Sequence, residues 1–141
     1  MIGVTGLLAL SRRYGLDALY AFGSRATEVA ACVRGGGELD PAHAADLDFG
    51  VLPQVGRVVE VDDRVHLAMA LQDLFDVPRV DLVVLPRAGP YLALAVVSGE
   101  LLCCGDPIRE AEYQLFVMRR AGDLAFFERE RRHQLLSGIA P

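Results

Sequence analysis

The run Asp46-Leu47-Asp48-Phe49-Gly50-Val51 constrains this chain most. In a strand, side chains alternate between faces with period two, so Asp46, Asp48 and Gly50 share one face. Leu47, Phe49 and Val51 share the other, which reads as core. Two carboxylates side by side repel and raise each other's affinity for protons. A divalent cation between them removes that cost, and an all-oxygen site suits Mg²⁺ or Mn²⁺. On its own, a DxD tripeptide is short and common, and a solvated strand edge with two unrelated acids explains it as well.

Two further segments change the balance. In Val80-Asp81-Leu82-Val83-Val84-Leu85 one acid interrupts an apolar strand pattern. A charge there is expensive unless it is paired, bound to metal or turned to solvent. If this strand lies beside the Asp46–Asp48 strand, three carboxylates converge. Earlier, an apolar run at 18–22 ends in Gly23-Ser24-Arg25, after which helical spacing begins. Glycine allows close backbone approach to a ligand. A helix N-terminus offers free N–H groups and the positive dipole end to phosphate. Ser24 reads as the cap of a helix from 25 to about 33, and both Ser24 and Arg25 could add contacts to an anion.

The remaining pattern alternates helices and strands. Helices are expected at 3–14, 62–75, 90–97 and 106–134, with Gly15, Asp62 or Asp63, Pro90 and Asp106-Pro107 as their boundary signals. Strands are expected at 18–22, 47–52, 80–85 and 101–104. Residues 34–45, with Gly35-Gly36-Gly37 and Asp40-Pro41, read as a flexible loop insertion. The fold class is α+β (α/β), a mixed sheet of about four strands with helices packed on it and a long C-terminal helix. With 141 residues the chain fits one domain, taken as 1–141.

Composition removes several function classes. All 14 basic residues are arginine, so Schiff-base and P-loop lysine chemistry are excluded. A net charge of −5 argues against direct nucleic-acid binding. Cys32, Cys103 and Cys104 have no CxxC spacing, and His43, His66 and His133 have no zinc-hydrolase setting. They read as reduced thiols and scattered imidazoles. No apolar run is long enough to span a bilayer and no leader pattern is visible, so a cytoplasmic address without membrane contact is expected.

The order Gly23-Ser24, then Asp46-x-Asp48, then Asp81 resembles the minimal nucleotidyltransferases (MNT) of the polymerase-β-like superfamily. The resemblance spans about 19–104. It includes Ser98-Gly99-Glu100-Leu101-Leu102 and Cys104-Gly105-Asp106-Pro107, which look like the family's short strand and the start of its last helix. The loop from Ser24 to Asp46 is longer than in compact members, and Ala45 stands where serine is common. The resemblance implies a sheet with helices on one side and ATP as substrate. Asp46, Asp48 and Asp81 would be metal ligands, with Asp81 also taking the acceptor's proton. Gly23 and Ser24 would hold the β- and γ-phosphates, with Arg25 a weaker phosphate contact. It also implies an antitoxin role beside a HEPN-family toxin, with AMP transferred to a toxin tyrosine. Two alternatives stand: a binding module that neutralises its partner by contact, and an enzyme acting on a small hydroxylated molecule. A homo-oligomer is left open.

Overall fold

The computed structural model describes residues 3–43 and 45–138. The ends of the expected 1–141 domain, and residue 44 of the expected loop, lie outside the described residues. The chain runs α1 (Val4–Tyr14), β1 (Leu16–Phe22), α2 (Ala26–Val33), β2 (Leu47–Pro53), α3 (Val61–Phe75), β3 (Val80–Val84), a 3₁₀ turn (Leu85–Arg87), α4 (Pro90–Val97), β4 (Glu100–Cys104) and α5 (Pro107–Leu136). The four strands form one sheet in the order β3-β2-β1-β4. β1 pairs antiparallel with β2 and with β4, whereas β2 and β3 run parallel. The parallel pair requires a crossover, and α3 supplies it. The expected mixed sheet and long last helix are therefore present.

Helices cover both faces of this sheet, where one-sided packing was expected. On one face, Leu7 and Tyr14 of α1, Val29 and Ala30 of α2, and Leu67 and Leu71 of α3 pack on Leu19, Phe49, Val51 and Leu82. On the other, Ala93 and Val96 of α4 and Val117 of α5 pack on Ala18, Tyr20 and Leu52. The reason is visible in β1, whose residues are buried from Leu16 to Ala21 with no alternation. A central strand covered on both sides reads as a continuous apolar run. Phe49 and Phe75 meet at 5.2 Å between ring centroids, an aromatic contact that adds about 1 kcal/mol beyond its area.

Two polar anchors hold α5 on its face. The Arg109 guanidinium pairs with Asp17 and donates to the Pro53 carbonyl. Asp17 sits where the β1–β2 register shifts. Deeper, the Tyr20 hydroxyl donates to Glu110 Oε1 at 2.6 Å, and Gln114 Nε2 donates to the same oxygen at 3.1 Å. Burial, then the Glu110 carboxylate, push the Tyr20 phenol above its usual range. Tyr20→Phe leaves Glu110 buried with one donor fewer. Loss of about 1–3 kcal/mol is expected. It should read as a lower urea midpoint with an unchanged denaturant slope.

The local caps differ from expectation at two helices. α3 begins at Val61, and the Asp63 carboxylate accepts from the Glu60 backbone N–H at 3.3 Å. Asp63 thus serves inside the first turn and not as the cap itself. α2 begins at Ala26 with Arg25 at its N-cap position and no side-chain cap. α1 stops at Gly15 with φ 64°, and Asp106 caps α5 by accepting from Arg109 N–H at 3.1 Å, both as read from the sequence.

Candidate active site

The candidate site forms where β1, β2 and β3 begin or end together. Phe22, the last residue of β1, pairs with Asp48. Asp48 pairs in turn with Asp81 across the parallel ladder. Residues opposite one another in a ladder point to the same face. Gly23 follows directly, with φ 78°. A Cβ on Gly23 would stand 2.5 Å from Asp48 Oδ2. Glycine is thus required twice here, for the left-handed backbone and for the space beside the carboxylate.

Asp48 carries the electrostatic signature of this arrangement. Its carboxyl holds its proton more tightly than an ordinary aspartate. Burial is the largest cause, followed by the charge of Asp81, a hydrogen bond with Asp81, and the charge of Asp46. No described cation forms an ion pair with Asp46, Asp48 or Asp81. Like charges in contact without a counter-charge suit a bound divalent cation. Among the described residues, however, no three metal-binding side chains stand grouped as a ready ligand set. The structure brings Asp48 and Asp81 into contact, with Asp46 near enough for its charge to act on Asp48.

The position of Asp46 has a physical cause. The β2–β3 ladder starts at Leu47 opposite Val80, so Asp46 precedes the strand. The alternation expected to align it with Asp48 and Gly50 is not enforced by any ladder bond at that residue. Asp46 also borders a cleft of about 630 Å³ beside the α3–β3 turn, lined by Asp40, His43, Val77 and Arg79 among others. Asp81 borders a different hollow, about 410 Å³, at the free edge of β3, together with Arg64 and Arg87. Those two arginines carried no sequence signal, because α3 and the 3₁₀ turn place them there through tertiary packing alone. Arg64 also donates to the Leu82 carbonyl at 2.7 Å, covering one acceptor on the open strand edge.

Ser24 and Arg25 divide in role. Ser24 is exposed beside Gly23 and caps no helix. Arg25 departs from the expected phosphate contact. It is 6% exposed. Its guanidinium donates to Glu28 at 2.7 and 3.2 Å and to the carbonyls of Asp40, Ala45 and His43 at 3.2, 3.1 and 3.5 Å. All five of its N–H donors have acceptors, and none is left for a ligand. Asp40, His43 and Ala45 are therefore tied to the start of α2 through Arg25. Cys32, Cys103 and Cys104 are all free thiols.

Comparison with known proteins finds relatives of the fold. No protein-family model and no curated protein matches the chain. Solved structures do. A structure described as a minimal nucleotidyltransferase is 30% identical over 69% of this chain and 85% of its own, with a TM-score of 0.50. A chain of a toxin–antitoxin crystal structure with AMP-PNP aligns over 97% of this chain and 98% of its own at 21% identity, with a TM-score of 0.65. A chain of the complex between the tri-AMPylated Shewanella oneidensis HEPN toxin and its MNT antitoxin aligns over 97% and 96% at 23% identity, with a TM-score of 0.59. At those lower identities the likeness is one of fold.

Proposed function

The chain belongs to the minimal nucleotidyltransferase family, and on that premise we propose that it transfers AMP from ATP to a tyrosine hydroxyl of a partner HEPN toxin, acting as its antitoxin. The observation that carries this reading is the meeting of Gly23, Asp48 and Asp81 at one spot, with two carboxylates in contact and no protein cation between them. Two of the similar structures support the choice of substrate and acceptor, since one contains AMP-PNP and the other an AMPylated HEPN toxin.

In this reading Asp46, Asp48 and Asp81 would hold one or two Mg²⁺ ions. A divalent cation there supplies charge neutralisation at the triphosphate and at the α-phosphoryl group. The protein's own groups do the rest. Gly23 leaves room for phosphate oxygens beside Asp48, and the Ser24 hydroxyl donates to them. The tyrosine oxygen forms its bond to the α-phosphorus while the bond to the bridging oxygen breaks, releasing pyrophosphate. Asp81, the exposed member of the pair, accepts the phenolic proton. The proposed setting is the cytoplasm, where ATP is available and thiols stay reduced. No described helix is long and apolar enough to cross a membrane.

Mass spectrometry tests the reading directly. With ATP and Mg²⁺, the partner toxin should gain one or more AMP masses on tyrosine, and Asp46→Ala/Asp48→Ala should add none. A toxin that stays unmodified by the wild type, with both proteins folded and metal present, rejects AMP transfer. One observation favours a second reading, neutralisation by contact. α5 exposes Phe116, Met118, Phe126, Phe127, Leu135 and Leu136 along its length. Under that reading the double alanine variant still neutralises the toxin.

A further inference from the structure

We propose that Arg25 is a positioning residue, a buried guanidinium clamp that fixes the Asp40, His43 and Ala45 carbonyls and thereby sets where Asp46 stands beside Asp48. The inference rests on the metal-site reading above and assigns Arg25 a task within it.

Three observations carry the argument. First, Asp46 lies outside the strand ladder, so no β-sheet bond determines where its carboxylate goes. Second, the residue before it is held: Arg25 Nη1 donates to the Ala45 carbonyl at 3.1 Å. That carbonyl belongs to the planar peptide group joining Ala45 to Asp46, so fixing it fixes the plane from which the Asp46 side chain departs. Third, the clamp is built from both sides. Arg25 also takes the Asp40 and His43 carbonyls, while Glu28 balances its charge and accepts from the Asp40 N–H at 2.6 Å. Arg25 and Glu28 thus hold both the N–H and the carbonyl of Asp40. Each partner strengthens the other's charged form: the Arg25 guanidinium holds its proton more tightly, and the Glu28 carboxyl lies below its ordinary range, with their mutual hydrogen bond the largest cause in each case.

The geometry explains why this position takes arginine. Five acceptors in different directions around one planar group need five donors in a fixed fork. Lysine offers three donors on a point charge and leaves carbonyls unsatisfied.

The test is a double-mutant cycle on the full chain, read by calorimetry as the Mg²⁺ concentration giving half-maximal AMP-PNP binding. Arg25→Met alone would strand the Glu28 carboxylate, so Arg25→Met/Glu28→Gln is the clamp variant, with Arg25→Lys beside it. In the background with Asp46 intact, the clamp variant should raise the Mg²⁺ requirement about tenfold; in the Asp46→Ala background it should change it less than about twofold. Equal effects in both backgrounds would show a general structural role and overturn the proposal. So would full retention of Mg²⁺ dependence in Arg25→Lys. If the wild type binds no AMP-PNP with Mg²⁺, the functional reading fails, and the clamp is judged by hydrogen exchange. Faster exchange in the clamp variant confined to the Asp40, Ala42 and Ala45 amides supports it, and unchanged exchange there overturns it.

Discussion

Asp48→Asn should lose magnesium-dependent AMP-PNP binding and nucleotidyl transfer while melting slightly above the wild type in metal-free buffer. Both effects come from one feature. Asp48 sits against Asp81 and under Gly23, partly buried, with no described cation at hand. In the folded, metal-free protein its carboxyl therefore holds its proton more tightly than in the unfolded chain. For such a group the stabilising contribution is complete below the unfolded value, about pH 4, and is lost as pH rises through the raised folded value. At pH 7 the ionised pair costs stability, and asparagine removes that cost without changing the side chain's shape. Because Asp48 is only partly buried, solvent screens much of the repulsion, and a gain of about 2 °C is the scale to look for.

The melting difference should be positive at pH 7 and shrink toward zero below about pH 4. Saturating Mg²⁺ with AMP-PNP should reverse the order, since a ligand that binds only the folded wild type stabilises it by mass action. For transfer, removal of one charge from the group that positions the cation should cost about 100- to 1,000-fold. Scanning calorimetry across pH and a single-turnover transfer assay read the two arms. A variant that still transfers AMP at the wild-type rate would remove Asp48 from the site. A melting difference that ignores pH would remove the carboxylate contact as its cause.

The division between what the sequence reveals and what it hides follows the range of the forces involved. α4 was readable with both ends, Pro90–Val97, because proline at a first turn and a glycine beyond the last are local signals. The same holds for Gly15 after α1 and for Asp106 before Pro107. The face shared by Asp48 and Gly50 follows from strand periodicity. Nothing local, however, says that β3 lies beside β2, and the contact between Asp48 and Asp81 depends on that. Asp46 has no ladder partner for a related reason: periodicity extends a strand on paper beyond the residues that pair, and β2 begins at Leu47. Arg25 was misread because a cation next to a Gly-Ser turn has the right chemistry for phosphate. Its partners are Glu28, one helical turn on, and three carbonyls of residues 40, 43 and 45, which are 15 or more residues away and carry no side-chain signature. Two-sided packing was written in the unbroken burial of β1, a signal that is ambiguous between a short buried helix and a strand until its neighbours are known.

Gly99→Ala should be the most damaging single methyl added to this fold. Gly99 ends the turn after α4, immediately before β4. A Cβ there would lie 2.3 Å from the Ala21 carbonyl oxygen and 3.0 Å from Phe22 Cα. Its backbone does not have the positive φ that strains other residues, so the demand is for space alone. The obstacle is backbone, and it cannot rotate aside as a side chain can. Ala21 is fully buried and paired with Glu100 on one side and Phe49 on the other. Relief requires parting β1 from β4 at the end of the sheet that carries the site. Overpacking of this kind should cost about 3 kcal/mol, read by urea unfolding. Gly122→Ala is the matched comparison, because no atom lies within 4 Å of its added Cβ and the position is inside α5. It should stabilise by about 1 kcal/mol through helix propensity alone. Phe22 leads directly into Gly23, so the strand end displaced by Gly99→Ala carries the Gly-Ser turn with it. Where the variant is still folded, its magnesium-dependent AMP-PNP binding should also weaken, whereas Gly122→Ala should bind as the wild type does. Equal stability of the two variants would mean that the β1–β4 edge yields more easily than its hydrogen-bonded position implies.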